Sequence, residues 1–261
     1  MEECPIYRTA TELHHNAIIY NFPCGNVDII CSSGMDFGMD GWENAVDSDK
    51  NLPISKQKRV SGKKSDGDDM LRSMRRARAN VRRLALANDF TYFVTLTLDR
   101  QKIDRYDGAT ITKALNRWCD NMVRRYGLKY VLVPEQHKDG AFHFHGFFND
   151  CVKAVESGHT DSSGHMIYNL PQWTFGFTAA IRLYGNYPQA VGYVCKYIGK
   201  QGGERPLGRW YYSGGALQKP QKTYADMDYR DLQESYGKKA VELEIPGRKI
   251  LVIHTEVEKN D

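Results

Sequence analysis

The stretch VPEQHKDGAFHFHGFF, residues 133–148, sets His143 and His145 one residue apart between phenylalanines, shortly after Glu135 and a Lys138-Asp139-Gly140 turn. Side chains two apart on a strand point to the same side, so His143 and His145 share one face while Phe142 and Phe144 take the other. The phenylalanine side is built for a core. A three-residue Lys138-Asp139-Gly140 loop, with glycine in the left-handed position such loops favour, sets Glu135 directly across the ladder from His143. A two-residue Asp-Gly loop brings Gln136 there instead. In the first register two imidazoles and a carboxylate gather together. Mixed nitrogen and oxygen ligation of that kind suits Mg2+ or Mn2+, with room in the shell for water and phosphate oxygens.

Working outward, FTYFVTLTL (90–98) is β-branched and aromatic throughout and reads as a strand. KYVLVPE and AFHFHGFF read as the two arms of a hairpin, and WTFGFTAAIRL as a further strand. Leu71, Met74, Ala77, Val81 and Leu84 recur at helical spacing, so one stripe of that helix is apolar and arginines cover the rest. A second helix carries Ile111, Leu115, Trp118, Met122 and Tyr126 on one side, with Gly127 placed to stop it. PQAVGYVCKYIGK opens on a proline suited to the first turn of a third helix. Helix, strand, helix, hairpin, strand, helix predicts an α+β fold on a central, mainly antiparallel sheet. The expected organisation is an N-terminal extension over 1–65, one domain over 66–220, and a charged C-terminal segment over 221–261.

The chain is 41% hydrophobic and 26% charged, and no apolar run approaches the roughly 18 residues of a membrane helix. Its start lacks the basic-then-apolar layout of a secretory signal, and its six cysteines form no CxxC pair. A reducing cytoplasm is the expected location. The net charge is +4, but it is unevenly spread: residues 70–88 hold six arginines and no acid, and residues 190–222 six Lys/Arg against one Glu. Concentrated positive charge of this kind favours a polyanionic partner, because neutralising phosphates releases counterions.

In GYVCKYIGK, helical spacing puts Tyr193 and Tyr197 on one face and Lys196 and Lys200 on a neighbouring one. A phenol is a poor nucleophile at neutral pH unless cations or a polarised phosphate favour its anion, and nearby lysines supply the cations.

FVTLTLD (93–99), HFHGFF (143–148) and YVCKYIGK (193–200) together resemble, in order, the three motifs of HUH endonucleases that initiate rolling-circle replication, above all the initiators of small single-stranded DNA phages and related bacterial mobile elements. GRWYYSGGALQKP (208–220) is similar to a segment such proteins carry after the tyrosine helix. The resemblance implies an RRM-like sheet and a Mg2+ or Mn2+ held by His143, His145 and Glu135. It implies attack by Tyr193 on a single-stranded DNA phosphate to leave a 5′-phosphotyrosine, with Lys196 steadying charge. Tyr197 matches the second tyrosine of two-tyrosine members, or else is a packing residue as in single-tyrosine members. Thr95 and Thr97 are expected to touch sugar or phosphate. Arg75 and Arg76 are expected on a duplex or hairpin origin, and Lys200, Arg209 and Tyr211 along the single strand, Tyr211 stacking on bases beside Trp210 and Tyr212. No GxxxxGK[ST] loop is present, so a host helicase is the implied partner in the bacterial cytoplasm. The rival readings are an HUH transposase or relaxase, and a single-stranded nucleic-acid binder that does no chemistry.

Overall fold

The computed structural model describes residues 15–34, 66–183, 187–200, 205–245 and 247–256. In chain order the elements begin with β1 (Ala17–Asn21), β2 (Asn26–Ser32), α1 (Asp66–Leu86), β3 (Tyr92–Leu98) and α2 (Gly108–Tyr126). They continue with β4 (Tyr130–Gln136), β5 (Phe142–Phe148), β6 (Val155–Thr160), β7 (Met166–Asn169), β8 (Gly176–Arg182) and α3 (Tyr187–Tyr197). The last are β9 (Tyr212–Gly214), β10 (Gln221–Ala225), α4 (Tyr229–Tyr236), β11 (Ala240–Ile245) and β12 (Arg248–Glu256). The chain is α+β with antiparallel sheets flanked by helices, as the element order predicts.

These elements form two units, one of residues 60–220 and one built from both flanks, 1–59 with 221–261. The larger unit carries a seven-stranded sheet in the order β6-β7-β8-β3-β5-β4-β9. Strict alternation on β3 decides which way the sheet faces. Tyr92, Val94, Leu96 and Leu98 are buried, and the residues between them are half-buried. The buried set joins Phe142, Phe144 and Phe148 of β5 and the Ile111, Leu115, Trp118 and Met122 stripe of α2 in one core. Asp107 starts α2 by accepting from the backbone N–H groups of Ala109 and Thr110, and Gly127, at φ 69°, closes it with its own N–H on the carbonyl of Val123. Tyr126, read with the apolar stripe, is 52% exposed: it is the last residue of the helix and lies beyond the sheet's reach.

The apolar stripe of α1 also lies differently from its sequence reading. Ala77, Val81 and Ala85 are buried, whereas Leu71 is 48% exposed and Met74 and Leu84 only half-buried. Small residues face inward here because α1 packs closely on α3. The polar hairpin of β6 and β7 (VESGHT and MIYN) has no apolar alternation and is invisible to that signal; it extends one edge of the sheet.

The N-terminal extension and the C-terminal segment, separate in sequence, pair with each other. Their five-stranded sheet runs β10-β1-β2-β12-β11, with β1 against β10 and β2 against β12. One face holds a core of Ala17, Val27, Ile29, Cys31, Leu251 and Ile253 with Leu232 of α4. Among the described residues, no helix is long and apolar enough to cross a membrane.

Candidate active site

The hairpin between β4 and β5 sets the site's register. His137 N–H donates to the carbonyl of Ala141 and Gly140 N–H to that of His137, both at 2.8 Å, and Gly140 sits at φ 87°. The loop is therefore Lys138-Asp139-Gly140, and Glu135 pairs with His143 and Val133 with His145. Strand β3 lies on the other side of β5, pairing Thr97 with His143 and Thr95 with His145. Residues directly opposed across a ladder share a face. The face away from the α2 core thus presents one row of Glu135, His143 and Thr97, and a second of Val133, His145 and Thr95.

Each imidazole is held at its Nδ1. Thr95 Oγ1 lies 3.1 Å from His145 Nδ1 and Thr97 Oγ1 3.3 Å from His143 Nδ1. A hydroxyl both donates and accepts, so these contacts serve either ring tautomer and aim both Nε2 atoms away from the strand. His145 Nε2 meets Glu135 Oε2 at 2.8 Å, and Lys200 Nζ donates to Glu135 Oε1 at 2.6 Å. His137 stacks on His143 with ring centroids 3.9 Å apart.

The electrostatics keep these groups in ligand-competent states. Burial, reinforced by His137 and His145, lowers the pKa of His143 to about 4, so its imidazole is neutral at physiological pH. Burial also lowers that of His145, against the pull of Glu135. For Glu135 burial acts upward, but hydrogen bonds from Lys200 and His145 outweigh it and hold the carboxyl below its ordinary range. Lys200 is raised, mainly by the same hydrogen bond.

Helix α3 brings the tyrosines over this face. Val191 and Val194 are fully buried, and Ile198 just beyond the helix is nearly so. Tyr187 packs on Phe147, Tyr193 on Phe93, and Tyr197 lies flat on His145 with centroids 4.0 Å apart and planes 9° apart. Tyr197 O–H donates to Tyr193 Oη at 2.6 Å. Burial, then that hydrogen bond, keeps the Tyr197 phenol protonated well above the usual tyrosine range. Arg78 of α1 fastens the C-terminal end, its Nε and Nη2 donating to the carbonyl of Ile198 at 3.1 and 2.7 Å. Gly199, at φ 79°, then turns the chain where Met74 Sδ leaves no room for a Cβ, and Lys200 reaches Glu135 with its ammonium 5.0 Å from the Tyr197 ring centroid.

Of the residues singled out from sequence, Glu135, His143, His145, Thr95, Thr97, Tyr193, Tyr197 and Lys200 converge here. Thr95 and Thr97 turn their hydroxyls to the imidazoles, which gives them a positioning role that the sequence reading does not foresee. Lys196 stands on the exposed side of α3, and Lys200 instead contacts the site. The signal is present in the sequence, since Tyr197-Ile-Gly-Lys200 repeats the spacing of Tyr193-Val-Cys-Lys196. Arg75 is exposed and Arg76 half-buried on α1. In the segment after α3, Trp210 and Tyr212 are 7% and 3% exposed, and Trp210 Nε1 donates to Ser73 Oγ. Both are core residues and neither offers a stacking surface. Tyr211 is half-buried and Arg209 exposed, its guanidinium 5.8 Å from the Tyr212 ring. Arg78 and His137 escape a sequence reading, because a single arginine in an arginine run and a histidine at a turn carry no pattern.

Among the described residues, no three His, Cys, Asp or Glu side chains are gathered as a formed metal shell; Glu135 bonds to His145 and Lys200. The donor chemistry nonetheless fits a divalent ion, with two neutral imidazoles beside an ionised carboxylate. Residues 91–202 match the family described as Replication-associated protein ORF2. The match runs from β3 to just past α3 and takes in every converging side chain named above. No curated protein matches the chain, and no solved structure does.

Proposed function

We propose, with the match of residues 91–202 to the replication-associated ORF2 family as premise, that this chain is a Rep-like HUH endonuclease that nicks and rejoins single-stranded DNA through a phosphotyrosine to initiate rolling-circle replication, on an RRM-like sheet. The observation that carries this reading is the meeting of the Tyr193 and Tyr197 hydroxyls, 2.6 Å apart, with the Tyr197 ring laid on His145. Two hydroxyls at one point can address one phosphate.

In the forward step Tyr193 Oη bonds to phosphorus and the bond from phosphorus to the 3′ oxygen breaks. The phenol proton is lost and the 3′ oxygen gains one, leaving a 5′-phosphotyrosine and a free 3′-hydroxyl. The donated Tyr197 O–H strengthens as negative charge builds on its acceptor. Lys200 supplies positive charge beside both rings and takes the role the sequence resemblance gives to Lys196. A strand rejoined by the reverse reaction, with Tyr197 free to attack next, makes alternating cuts possible. His143, His145 and Glu135 would hold Mg2+ or Mn2+, whose chemistry is to neutralise and polarise the phosphate oxygens. Thr95 and Thr97 keep the imidazoles aimed for that ion, a role in which hydrogen-bond partners of ligands typically matter. Arg75 and Arg76 would contact duplex or hairpin DNA at the origin, and Arg209 and Tyr211 the single strand. A host helicase would open the duplex in the bacterial cytoplasm.

The test is incubation with single-stranded DNA and Mn2+, followed by denaturing electrophoresis and mass analysis of the tryptic peptide holding residues 193–197. A nucleotide on Tyr193 is expected. A protein that binds the strand yet forms no adduct on any oligonucleotide of a randomised pool is a binder without this chemistry.

A further inference from the structure

Phe177 of β8 is 67% exposed, the most exposed large hydrophobic side chain among the described residues. Its position in the ladder is more telling than its exposure. Phe177 pairs with Thr97, Thr97 with His143, and His143 with Glu135, so the four stand in one row on one face of the sheet. Two strand spacings, about 10 Å, separate the backbones of Phe177 and His143.

The α3 tyrosines stand over Phe147, Phe93 and His145, on β5 and β3. On β8 the neighbour on Phe177's own face is the small Ala179, opposite Thr95, which leaves the ring standing above a low shelf. The backbone beneath is fixed. Trp173 Nε1 donates to the Thr97 carbonyl at 3.2 Å and Asp99 N–H to that of Phe175 at 2.9 Å. A Cβ on Gly176 would collide with the Thr97 carbonyl oxygen, so β8 is pressed against β3 at this point. An aromatic ring on a rigid strand loses little freedom when a flat partner covers it.

We infer that Phe177 is a stacking platform for a nucleobase of the single strand, one or two nucleotides from the reacting phosphate. The inference rests on the function proposed above, because the row that ends at Phe177 begins at the residues assigned to that phosphate. Stacking on an aromatic face accepts every base, so the platform fixes the position of the strand rather than reading its sequence.

The experiment measures binding in EDTA, by fluorescence anisotropy, to a labelled oligothymidine and to an abasic deoxyribose-phosphate strand of equal length. For Phe177→Ala, affinity for oligothymidine should fall roughly tenfold while affinity for the abasic strand stays unchanged. Phe177→Trp should restore the preference, with its added indole emission quenched by oligothymidine alone. An alanine variant that keeps the wild-type preference for oligothymidine, or that weakens both strands equally, overturns the inference. Adduct formation is read separately: a wild type that makes the phosphotyrosine while Phe177→Ala keeps the preference loses the platform and keeps the endonuclease. A wild type that makes no adduct loses the endonuclease, and the binding ratio still decides the platform.

Discussion

The two faces of the seven-stranded sheet are made by the same strands and differ in almost every physical respect. Toward α2, Tyr92, Val94, Leu96, Phe142, Phe144 and Phe148 are nearly or fully buried in one apolar core. One residue along each strand, on the other face, stand Thr95, Thr97, His143 and His145, with Glu135 and Phe177 in register beside them. A period of two separates stability from chemistry: one side holds the strands in place, and the other is free to carry groups that contribute little to folding. Substitutions one residue apart should therefore produce opposite phenotypes.

The largest effect is expected where a single oxygen is removed. Tyr193→Phe should lower adduct formation by at least about a thousandfold, because the nucleophile itself is lost. Its denaturation midpoint and its affinity for single-stranded DNA should match wild type. Tyr197→Phe should retain the first cut and lose the second round, assayed as rejoining on a successive substrate. If Tyr197→Phe abolishes the first adduct and Tyr193→Phe does not, the two roles are exchanged.

Next come two neighbours on opposite faces. Phe144→Ala empties a fully buried site and should cost about 3–5 kcal/mol of stability in chemical denaturation. Thr95→Val, one strand over on the other face, should leave stability close to wild type. It removes the hydroxyl that aims His145, and Mn2+ affinity measured by titration calorimetry should fall about 10- to 100-fold. A Thr95→Val protein that binds Mn2+ as wild type does would show that the imidazole is held by other contacts.

The same division explains what the sequence makes legible. Alternation in FVTLTL and FHFHGFF is a local signal of period two, and Gly140 specifies a turn, so the Glu135 to His143 register can be read within a span of nine residues. Nothing local announces that β1 pairs with β10 more than 200 residues later (Ala17 with Ala225), so the flanks read as an extension and a tail. Helical stripes are legible to within a turn. On α1 the apolar pattern turns Leu71 inward where the structure buries Ala85, because close packing against α3 favours the smaller side chain. Sequence spacing makes Lys200 a DNA contact and Lys196 the site lysine because the turn at Gly199, which brings Lys200 back to Glu135, depends on Met74 in a distant helix. Trp210 and Tyr212 illustrate the opposite error: aromatics among basic residues resemble a stacking surface until a serine and a core are seen to claim them.

The smallest expected effect concerns protons. The pKa of His143 is lowered from 6.5 to about 4, first by burial and then by His137 and His145. Between those pH values the unfolded chain binds a proton at this position that the folded protein refuses. Stability present above about pH 6.5 is therefore lost progressively as pH falls toward 4, since the unfolded state carries more protons there. His143→Gln removes the titrating group without emptying the position. In metal-free buffer its denaturation midpoint should fall less steeply than that of wild type as the solution is acidified through this window. Phe144→Ala, weakened by a core cavity rather than a charge, should keep the wild-type slope while lying below it at every pH. Parallel curves for wild type and His143→Gln would mean that the imidazole takes up its proton in the folded protein as readily as in the unfolded one, and the face opposite the core would then be wetter than its contacts make it.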